Sequence, residues 1–500
     1  MKKDLRELLS ALEIEAISDQ ADICVSGIAY DSRKVKPGDL FVCIQGFQHD
    51  GHDFIAEAIG NGCVGVIVQR DVAVPRGVVR IKVSDTRQAL ARVANAFYDY
   101  PSGKLRLIGV TGTNGKTSTT HLIEGILRKA GYRTGLIGTI YNRINTQQIP
   151  VERTTPESLD LQHLFAQMVE AGVDYCVMEV SSHALSLQRV VGCDFDVGVF
   201  TNISQDHLDF HHTIEAYRDA KALLFSQLAE PSPKQGPKSA VINIDDLNGQ
   251  KIARACPVYC LGYGVKQFAD VQAKQINITP RGVEFNLDFK GKVIPIKLQL
   301  TGMFSVYNAL AAIGVALVEG ISEAIIQAAL AEMPGVPGRF ERIDAGQDFN
   351  VVVDYAHTPD GLENILQTAR EFITGRIIIV FGCGGDRDRT KRPIMGKIAA
   401  QYADYVVITS DNPRSEDPMV IIADIERGMQ TGQGVSAAYA IMPDRKEAIT
   451  AALKMARTGD IVILAGKGHE KYQIIGEQVI PFDDKEVARQ VLRGLEQCCQ

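Results

Sequence analysis

The sequence has ten cysteines among its 500 residues but no Cys-x-x-Cys pair. Cys256 and Cys260 are too isolated to suggest a zinc site, and several other cysteines stand in apolar runs, where cysteine behaves as a small hydrophobic residue. This usage favours the reducing cytosol over a secreted, disulfide-bonded protein. For Cys498 and Cys499 at the end of the chain we expect a frayed tail.

Long apolar runs and an excess of positive charge are also missing. No stretch approaches the roughly 18 apolar residues of a membrane span, and residues 1–17 have scattered charges without the apolar core of a signal peptide. The net charge of −7 argues against a nucleic-acid binder that depends on counterion release. No Asn-Lys-x-Asp guanine-recognition motif occurs, which counts against a GTPase switch. We therefore expect a cytoplasmic protein that binds neither membranes nor nucleic acid.

The chain is too long for one hydrophobic core, and about 100–200 residues per domain predicts about three domains. The strand and helix patterns divide it into residues 1–104, 105–334 and 335–500, with the Pro/Gly-rich segment 333–338 at the second boundary. Residues 270–300 predict antiparallel hairpins. Four continuous apolar strands in the last part predict a parallel sheet covered by helices on both faces.

Residues 105–130 read as a buried strand, a glycine-rich loop and an amphipathic helix. Glycines let backbone N–H groups approach a phosphate chain, and the helix dipole favours negative charge at that end. Lys116 is expected to neutralise the β/γ-phosphates, and Thr117 to offer a hydroxyl to Mg²⁺. Val110 stands where the strict phosphate-loop pattern has glycine, so this loop is a variant. The strand before it and the helix after it still favour a nucleotide site.

Polar side chains follow the apolar strands of the second part. Glu179 ends one strand, and a carboxylate beside a phosphate loop at the carboxyl edge of a sheet suits a Mg²⁺ ligand. The cluster from Asp206 to His212 follows another strand, which favours a functional histidine over a structural one. Lys221 stands among apolar helix positions, where a snorkelling lysine is the ordinary interpretation.

Two segments allow both a structural and a functional interpretation. Residues 30–39 hold a hydroxyl and several basic groups; local sequence favours a solvated loop over a contact with a diphosphate or uridine. Thr154 and Thr155 precede a proline, so their hydroxyls either cap a helix at Glu157 or reach a ligand.

All four apolar strands of the third part end in polar clusters. Carboxyl ends of parallel strands meet at one edge of a sheet, so we expect a second ligand site there. The clusters are Asp354 to His357, Gly384 to Arg389, Ser410 to Arg414, and Gly466 to Glu470.

Together these motifs resemble the Mur ligases of peptidoglycan synthesis. The strings that carry the resemblance are, in order, GTNGKT, MEVSSHAL, FTNISQDHLDFH, YNALAA, GRFERI, DYAHTPD, FGCGGDRDRTKRP, DNPR and AGKGHE. They cover nearly the whole chain. DNPR followed by AGKGHE is similar to the members that add meso-2,6-diaminopimelate to UDP-N-acetylmuramoyl-L-alanyl-D-glutamate; lysine-adding relatives lack that arginine.

The resemblance implies an α/β fold of three domains. These are a small α/β UDP-substrate-binding domain at 1–104, a central phosphate-loop-type ATPase with a mostly parallel sheet at 105–334, and a Rossmann-like amino-acid-binding domain at 335–500. It also implies an ATP-dependent ligase that acts through an acyl phosphate and uses two Mg²⁺ ions. Our own expectation for the oligomeric state is a monomer.

Functional positions of the family carry over to matching residues here. Implied ATP contacts are Gly112, Thr113, Asn114, Gly115, Lys116, Thr117, Ser118, Asn308 and Arg339. Implied contacts with the UDP-substrate are Ser32, Thr154, Thr155, Ser181 and Arg189. Implied diaminopimelate contacts are Arg387, Asp411, Asn412, Pro413, Arg414, Gly466 and Glu470. One Mg²⁺ would be held by Thr117 and Glu179, and the second by Glu179, His207 and a carbamylated Lys221 (N6-carboxylysine). The implied catalytic set is Lys116, Glu179, His207 and Lys221.

The chain departs from the family at Leu187, where some relatives have a glutamine that contacts the substrate; Gln188 is a candidate substitute. Three alternatives remain: a lysine-adding member, a ligase like folylpolyglutamate synthase, and an inactive binding protein. DNPR with AGKGHE counts against the first two, and the intact catalytic set counts against the third. Arg414 is the natural discriminator, because a planar guanidinium pairs bidentately with the carboxylate that lysine lacks.

Overall fold

The computed structural model describes residues 2–18, 22–47, 49–151, 153–430 and 437–498. Cys499 and the side chain of Cys498 lie outside the described part, so the expectation for this tail stays a prediction. Within the described ranges, three sheets of five, eleven and six strands organise the chain, accompanied by two two-stranded ribbons. No helix in these ranges combines the length and the apolar character needed to cross a membrane.

The first unit is a five-stranded sheet in the order β2-β7-β6-β5-β4, in which only β2 is antiparallel. Leu90 and Val93 of α3 pack against Leu40 and Ile81 of the sheet. Its elements are β1 (Lys3–Asp4), α1 (Leu5–Leu9), β2 (Ile14–Ile17), β3 (Cys24–Val25), β4 (Gly27–Ala29), β5 (Asp39–Val42), α2 (Ile55–Gly60), β6 (Gly65–Val68), β7 (Val79–Val83) and α3 (Thr86–Phe97).

The second unit contains the eleven-stranded sheet. Its elements are β8 (Arg106–Thr111), α4 (Lys116–Lys129), β9 (Thr134–Ile137), β10 (Asn142–Ile144), β11 (Gln147–Ile149), α5 (Ser158–Glu170), β12 (Tyr175–Glu179), α6 (Ser182–Ser186), β13 (Val197–Phe200), α7 (Leu208–His211), α8 (Ile214–Gln227), β14 (Ser239–Asn243), α9 (Leu247–Ala255), β15 (Tyr259–Gly264), β16 (Val271–Thr279), β17 (Gly282–Phe289), β18 (Lys292–Leu298), α10 (Met303–Val318) and α11 (Glu323–Glu332).

Its strand order is β11-β10-β9-β12-β8-β13-β14-β15-β16-β17-β18. The strands from β9 to β16 in this order are parallel. The hairpins predicted over 270–300 are confirmed as β16, β17 and β18, which pair antiparallel.

The third unit has the sheet order β19-β20-β24-β21-β22-β23, with only β19 antiparallel. Apolar clusters cover both faces, which confirms the predicted parallel sheet. Its elements are β19 (Glu341–Ile343), β20 (Asn350–Asp354), α12 (Pro359–Phe372), β21 (Ile377–Phe381), α13 (Lys391–Tyr402), β22 (Tyr405–Ile408), α14 (Pro418–Gln430), β23 (Ala438–Ile441), α15 (Arg445–Met455), β24 (Ile461–Ala465), β25 (Tyr472–Ile475), β26 (Gln478–Pro481) and α16 (Asp484–Cys498).

The register of the central strands brings the predicted site residues to one edge. Glu179 at the end of β12 lies opposite Val110 of β8, and Phe200 of β13 lies opposite Thr111. Because these strands are parallel, the phosphate loop, Glu179 and the segment after β13 all emerge on the same side.

Candidate active site

The phosphate loop connects β8 to α4. Gly115 has φ +84°, and a Cβ there would lie 2.3 Å from Asn308 Oδ1, so only glycine lets α10 approach the loop this closely. Side chains do not cap the start of α4, which leaves its N–H groups for an anion. Lys116 Nζ donates to the carbonyls of Gly112 at 3.0 Å and Thr113 at 2.8 Å. Burial lowers the pKa of Lys116 below its usual value.

Thr117 and Glu179, which we expected to share a Mg²⁺ ion, are in contact. Thr117 Oγ1 donates to Glu179 Oε2 at 3.0 Å, and the Thr139 backbone N–H donates to Glu179 Oε1 at 2.8 Å. Glu179 is buried. Arg339 Nη2 reaches the same hydroxyl at 3.1 Å. A buried carboxylate and a hydroxyl therefore adjoin the phosphate loop, and both are hard oxygen ligands.

Lys221 is only 1% exposed, so the snorkelling interpretation is wrong. Its Nζ donates to the Gly112 carbonyl at 2.8 Å and lies 4.3 Å from the centroid of the Tyr217 ring. Burial lowers the pKa of Lys221 well below its usual value, and the positive charge of Lys116 lowers it further, while Asp206 opposes both effects. The amine is therefore biased toward its uncharged form.

His207 lies beside the same loop. Its side chain is 44% exposed, and its Nε2 lies 3.4 Å from Asp206 Oδ2. Burial lowers the pKa of His207, and the nearby Lys116 and Lys221 lower it further. The described residues contain no group of three His, Cys, Asp or Glu side chains able to hold a metal ion. Glu179 and His207 would thus need a further anionic partner to complete a second metal site.

The hydroxyls of Thr154 and Thr155 do not cap α5, because its N-cap is Glu157. Thr155 Oγ1 donates to the Glu179 carbonyl at 2.9 Å and accepts from the Ser181 N–H at 3.1 Å. The helix-capping interpretation is therefore wrong.

Three guanidinium groups surround the buried carboxylate of Glu157. Arg189 Nε lies at 3.1 Å, Arg87 Nη1 at 3.6 Å and Arg153 Nη1 at 3.9 Å from Glu157 Oε2. One carboxylate cannot balance three cations, so this border between the first and second units suits an anion. Arg87 stands on an ordinary amphipathic helix, so nothing in the local sequence predicted this contact.

Other predicted contacts lie apart from this group. Ser32 is buried and donates to Glu57 Oε2 at 2.6 Å, within its own unit, so the solvated-loop interpretation does not hold for it. Gln188 Nε2 donates to Asp85 Oδ2 at 2.5 Å and so links the first two units. Gln188 was the candidate substitute for the glutamine that some family members have at position 187. Its side-chain amide is already hydrogen-bonded to Asp85.

A cavity of about 1070 Å³ lies between the second and third units. The second unit contributes Asp206 and His207 to its wall. Six of the seven predicted diaminopimelate residues line it, namely Arg387, Asp411, Asn412, Arg414, Gly466 and Glu470; Pro413 does not. A cavity thus lies at the carboxyl edge of the third sheet, where we expected a second ligand site.

Arg414 has φ +52°, an uncommon conformation for a residue with a side chain. Backbone bonds fix it, since its N–H donates to the Ile474 carbonyl at 3.1 Å and its carbonyl accepts from Gly476 N–H at 2.8 Å. Nη1 donates to the Gly385 carbonyl at 2.7 Å. Among the described residues, no carboxylate lies within ion-pair distance of Arg414 or Arg387. Two guanidinium groups therefore face the cavity unpaired.

Asp360 at the start of α12 joins the third unit to the phosphate loop. Its Oδ2 accepts from Ser204 Oγ at 2.8 Å and also from Asn114 Nδ2. The sequence did not single out Asp360, because an Asp after Pro at a helix start has a sufficient structural explanation.

Family profiles match three consecutive parts of the chain. They are described as Mur ligase family, catalytic domain at residues 24–98, Mur ligase middle domain at 110–316, and Mur ligase, glutamate ligase domain at 338–468. Each match falls within one of the three units.

The chain is also similar to other proteins over nearly its whole length. The chain is 52% identical over 490 residues to a UDP-N-acetylmuramoyl-L-alanyl-D-glutamate--2,6-diaminopimelate ligase of Syntrophomonas wolfei, covering 98% of this chain and 99% of the relative. Identity to the ligase of the same name from Geobacillus thermodenitrificans is 50%, over 98% and 99% of the two chains. A solved structure of a ligase of that name superimposes with a TM-score of 0.70 at 34% identity, covering 99% of this chain and all of the other. The chain therefore belongs to the Mur ligase family.

Proposed function

We propose that this chain is the ATP-dependent ligase that adds meso-2,6-diaminopimelate to UDP-N-acetylmuramoyl-L-alanyl-D-glutamate in peptidoglycan synthesis. The observation that carries the proposal is the unpaired guanidinium of Arg414 in the interdomain cavity, in a chain half identical to ligases of that name. A guanidinium without a protein carboxylate fits a ligand that carries one.

Amide formation needs activation, because a carboxylate is a poor electrophile. Attack of the UDP-substrate carboxylate on the γ-phosphoryl group of ATP gives an acyl phosphate and ADP. Lys116 and the uncapped N–H groups of α4 neutralise charge on the phosphates. The proposed ATP contacts further include Gly112, Thr113, Asn114, Gly115, Thr117, Ser118, Asn308 and Arg339.

The donor set near the loop fits Mg²⁺. Thr117 and Glu179 would hold one ion, and Glu179, His207 and a carbamylated Lys221 a second. Bound Mg²⁺ would supply electrostatic stabilisation of the transferring phosphoryl group. The buried, pKa-lowered amine of Lys221 supports carbamylation: its nitrogen bonds to the carbon of CO₂, a proton leaves, and a carbamate anion remains. That anion would be the additional ligand that Glu179 and His207 require.

The UDP-substrate would lie along the border of the first and second units. The positive excess around Glu157 supports a site for an anionic substrate. Arg189 would contact it there, together with Ser32, Thr154, Thr155 and Ser181.

The amino-acid substrate would occupy the cavity of the third unit. Arg387, Asp411, Asn412, Pro413, Arg414, Gly466 and Glu470 would bind it. L-Lysine lacks the second carboxylate and would leave Arg414 unpaired, a cost of about 1–3 kcal/mol. Release of phosphate follows when the substrate amine attacks the acyl phosphate carbonyl.

We also propose domain boundaries after residues 104 and 334. Each of the three sheets is confined to one of the resulting segments. A monomer in the cytoplasm is the proposed working state.

Phosphate release in the presence of ATP and Mg²⁺ tests the proposal. It should require the UDP-dipeptide and meso-diaminopimelate together. Sustained release with either one omitted contradicts the proposed reaction.

A further inference from the structure

Lys467 is a lysine without solvent exposure directly behind the wall of the cavity. Its Nζ donates to Asn412 Oδ1 at 3.1 Å and to Glu470 Oε2 at 3.2 Å, and it lies 3.8 Å from Asp411 Oδ1. These three partners line the cavity, and Lys467 does not. The ammonium therefore supports three cavity residues from the protein side.

The partners come from two loops that follow different strands. Asp411 and Asn412 follow β22, whereas Lys467 and Glu470 follow β24, and β21 separates these strands in the sheet. Side chains make the connection, since Asn412 Nδ2 also donates to Glu470 Oε2 at 2.9 Å. Lys467 and the Asn412–Glu470 hydrogen bond thus connect two loops across the width of a strand.

The charges of this group do not balance. One ammonium faces two carboxylates, which leaves a net charge of −1. Among the described residues, no donor forms a hydrogen bond with Glu470 Oε1 or Asp411 Oδ2. Carboxylate oxygens left open beside the cavity fit an ammonium ligand, and Arg414 in the same wall fits a carboxylate. The two features together suit an amino-acid end group.

We propose that Lys467 is a positioning residue that sets the spacing and net charge of the ammonium-binding half of the amino-acid site. It touches no substrate and acts through Asp411, Asn412 and Glu470. This inference rests on the proposed diaminopimelate function. Without the lysine, two carboxylates face each other with only an amide between them, and their repulsion moves them from their places.

Lys467→Met removes the charge and keeps most of the volume. We expect the KM for diaminopimelate to rise about tenfold or more, with the KM values for ATP and UDP-dipeptide within about twofold of wild type. A thermal melt and circular dichroism spectrum establish that the variant is folded. If it does not fold, Lys467→Gln replaces it with the same expectations.

Two substrate analogues distinguish a specific effect on the ammonium-binding half of the site from a general loss of order in the cavity wall. 2-Aminopimelate lacks one ammonium, and L-lysine lacks one carboxylate. In Lys467→Met the preference for diaminopimelate over 2-aminopimelate should fall about fivefold or more, while the preference over L-lysine, which depends on Arg414, stays within about twofold. Equal losses of both preferences would show a merely structural lysine.

Lys234 is the matched control, a lysine whose side chain is only 8% exposed and donates to Asp196 Oδ2 at 2.6 Å in the second unit. Lys234→Met should leave all three KM values unchanged. If folded Lys467→Met has an unchanged KM for diaminopimelate while the wild type is active, the inference about Lys467 is overturned and the proposed function stands. Wild-type enzyme without diaminopimelate-dependent phosphate release overturns the proposed function itself.

Discussion

Arg339 Nη2 donates a hydrogen bond to Thr117 Oγ1 at 3.1 Å, so a residue of the third unit reaches the phosphate loop of the second. The guanidinium also lies 4.8 Å from the centroid of the Tyr355 ring, at the end of β20. Arg339 immediately follows the Pro/Gly-rich segment 333–338, which connects the two units. The same side chain therefore makes a proposed nucleotide contact and links the third unit to the phosphate loop.

Asp360→Asn should weaken the second contact between these units. Asn114 and Ser204 would lose a charged acceptor, a change worth about 1.5–3 kcal/mol, and kcat/KM for ATP should fall about tenfold or more. The KM for the UDP-dipeptide should stay the same, because its proposed site lies in the first two units. Steady-state kinetics with each substrate varied in turn measures this.

Asp348→Asn is a suitable control, since Asp348 lies between β19 and β20 and contacts Thr458. It should leave kcat/KM for ATP unchanged. An Asp360→Asn enzyme with wild-type kinetics for ATP would refute the coupling.

Lys221 should carry a carbamate in the active enzyme. Because burial lowers its pKa, the uncharged amine that reacts with CO₂ becomes more abundant as pH rises. In buffer depleted of CO₂, restoring bicarbonate should therefore restore activity more fully above neutral pH than below it. A carbamate carbon signal after ¹³C-bicarbonate labelling should appear in wild type and be missing in Lys221→Met. Fully active wild-type enzyme without that signal would show that activity does not depend on a carbamate at Lys221.

Arg414→Lys should raise the KM for diaminopimelate about tenfold or more, because an ammonium cannot reproduce the bidentate pairing. The ATP KM should change much less. Equal increases in both KM values would disprove the assigned role. The left-handed backbone at 414 is retained in this variant, which makes Lys a cleaner substitution than Gly.

Arg445 and Asp484 form an ion pair with no solvent exposure on either side, at 2.6 Å between Nη2 and Oδ2. Arg445→Met would leave the Asp484 carboxylate buried without its partner. We therefore expect the free energy of unfolding to fall by about 3–5 kcal/mol. Chemical denaturation measures the difference.

The reference for this measurement is the pair Arg427–Asp424, at 3.0 Å, in which the arginine side chain is 69% exposed. Arg427→Ala should cost about 1 kcal/mol or less. If both substitutions lower the free energy of unfolding by similar amounts, burial does not determine the contribution of the Arg445–Asp484 pair to stability.

Apolar strands followed by polar motifs made it possible to predict the parallel sheets and the grouping of residues around the phosphate loop. Lys116, Thr117 and Glu179 follow apolar strands, and parallel pairing brings such residues to one edge whatever the details of packing. Contacts between units were not predictable in this way, because Asp360 and Arg87 stand on helices whose local sequence has an ordinary structural explanation. Lys467 lies within a recognised motif, yet its burial behind the cavity depends on tertiary packing that spacing does not reveal.

The most direct measurement is a competition between equal concentrations of meso-diaminopimelate and L-lysine for the acyl phosphate, read by the mass of the UDP-linked product. Wild type should form the diaminopimelate product, and Arg414→Ala should form an increased share of the lysine product. A wild-type enzyme that forms both products equally, or mainly the lysine product, would contradict the proposed diaminopimelate specificity.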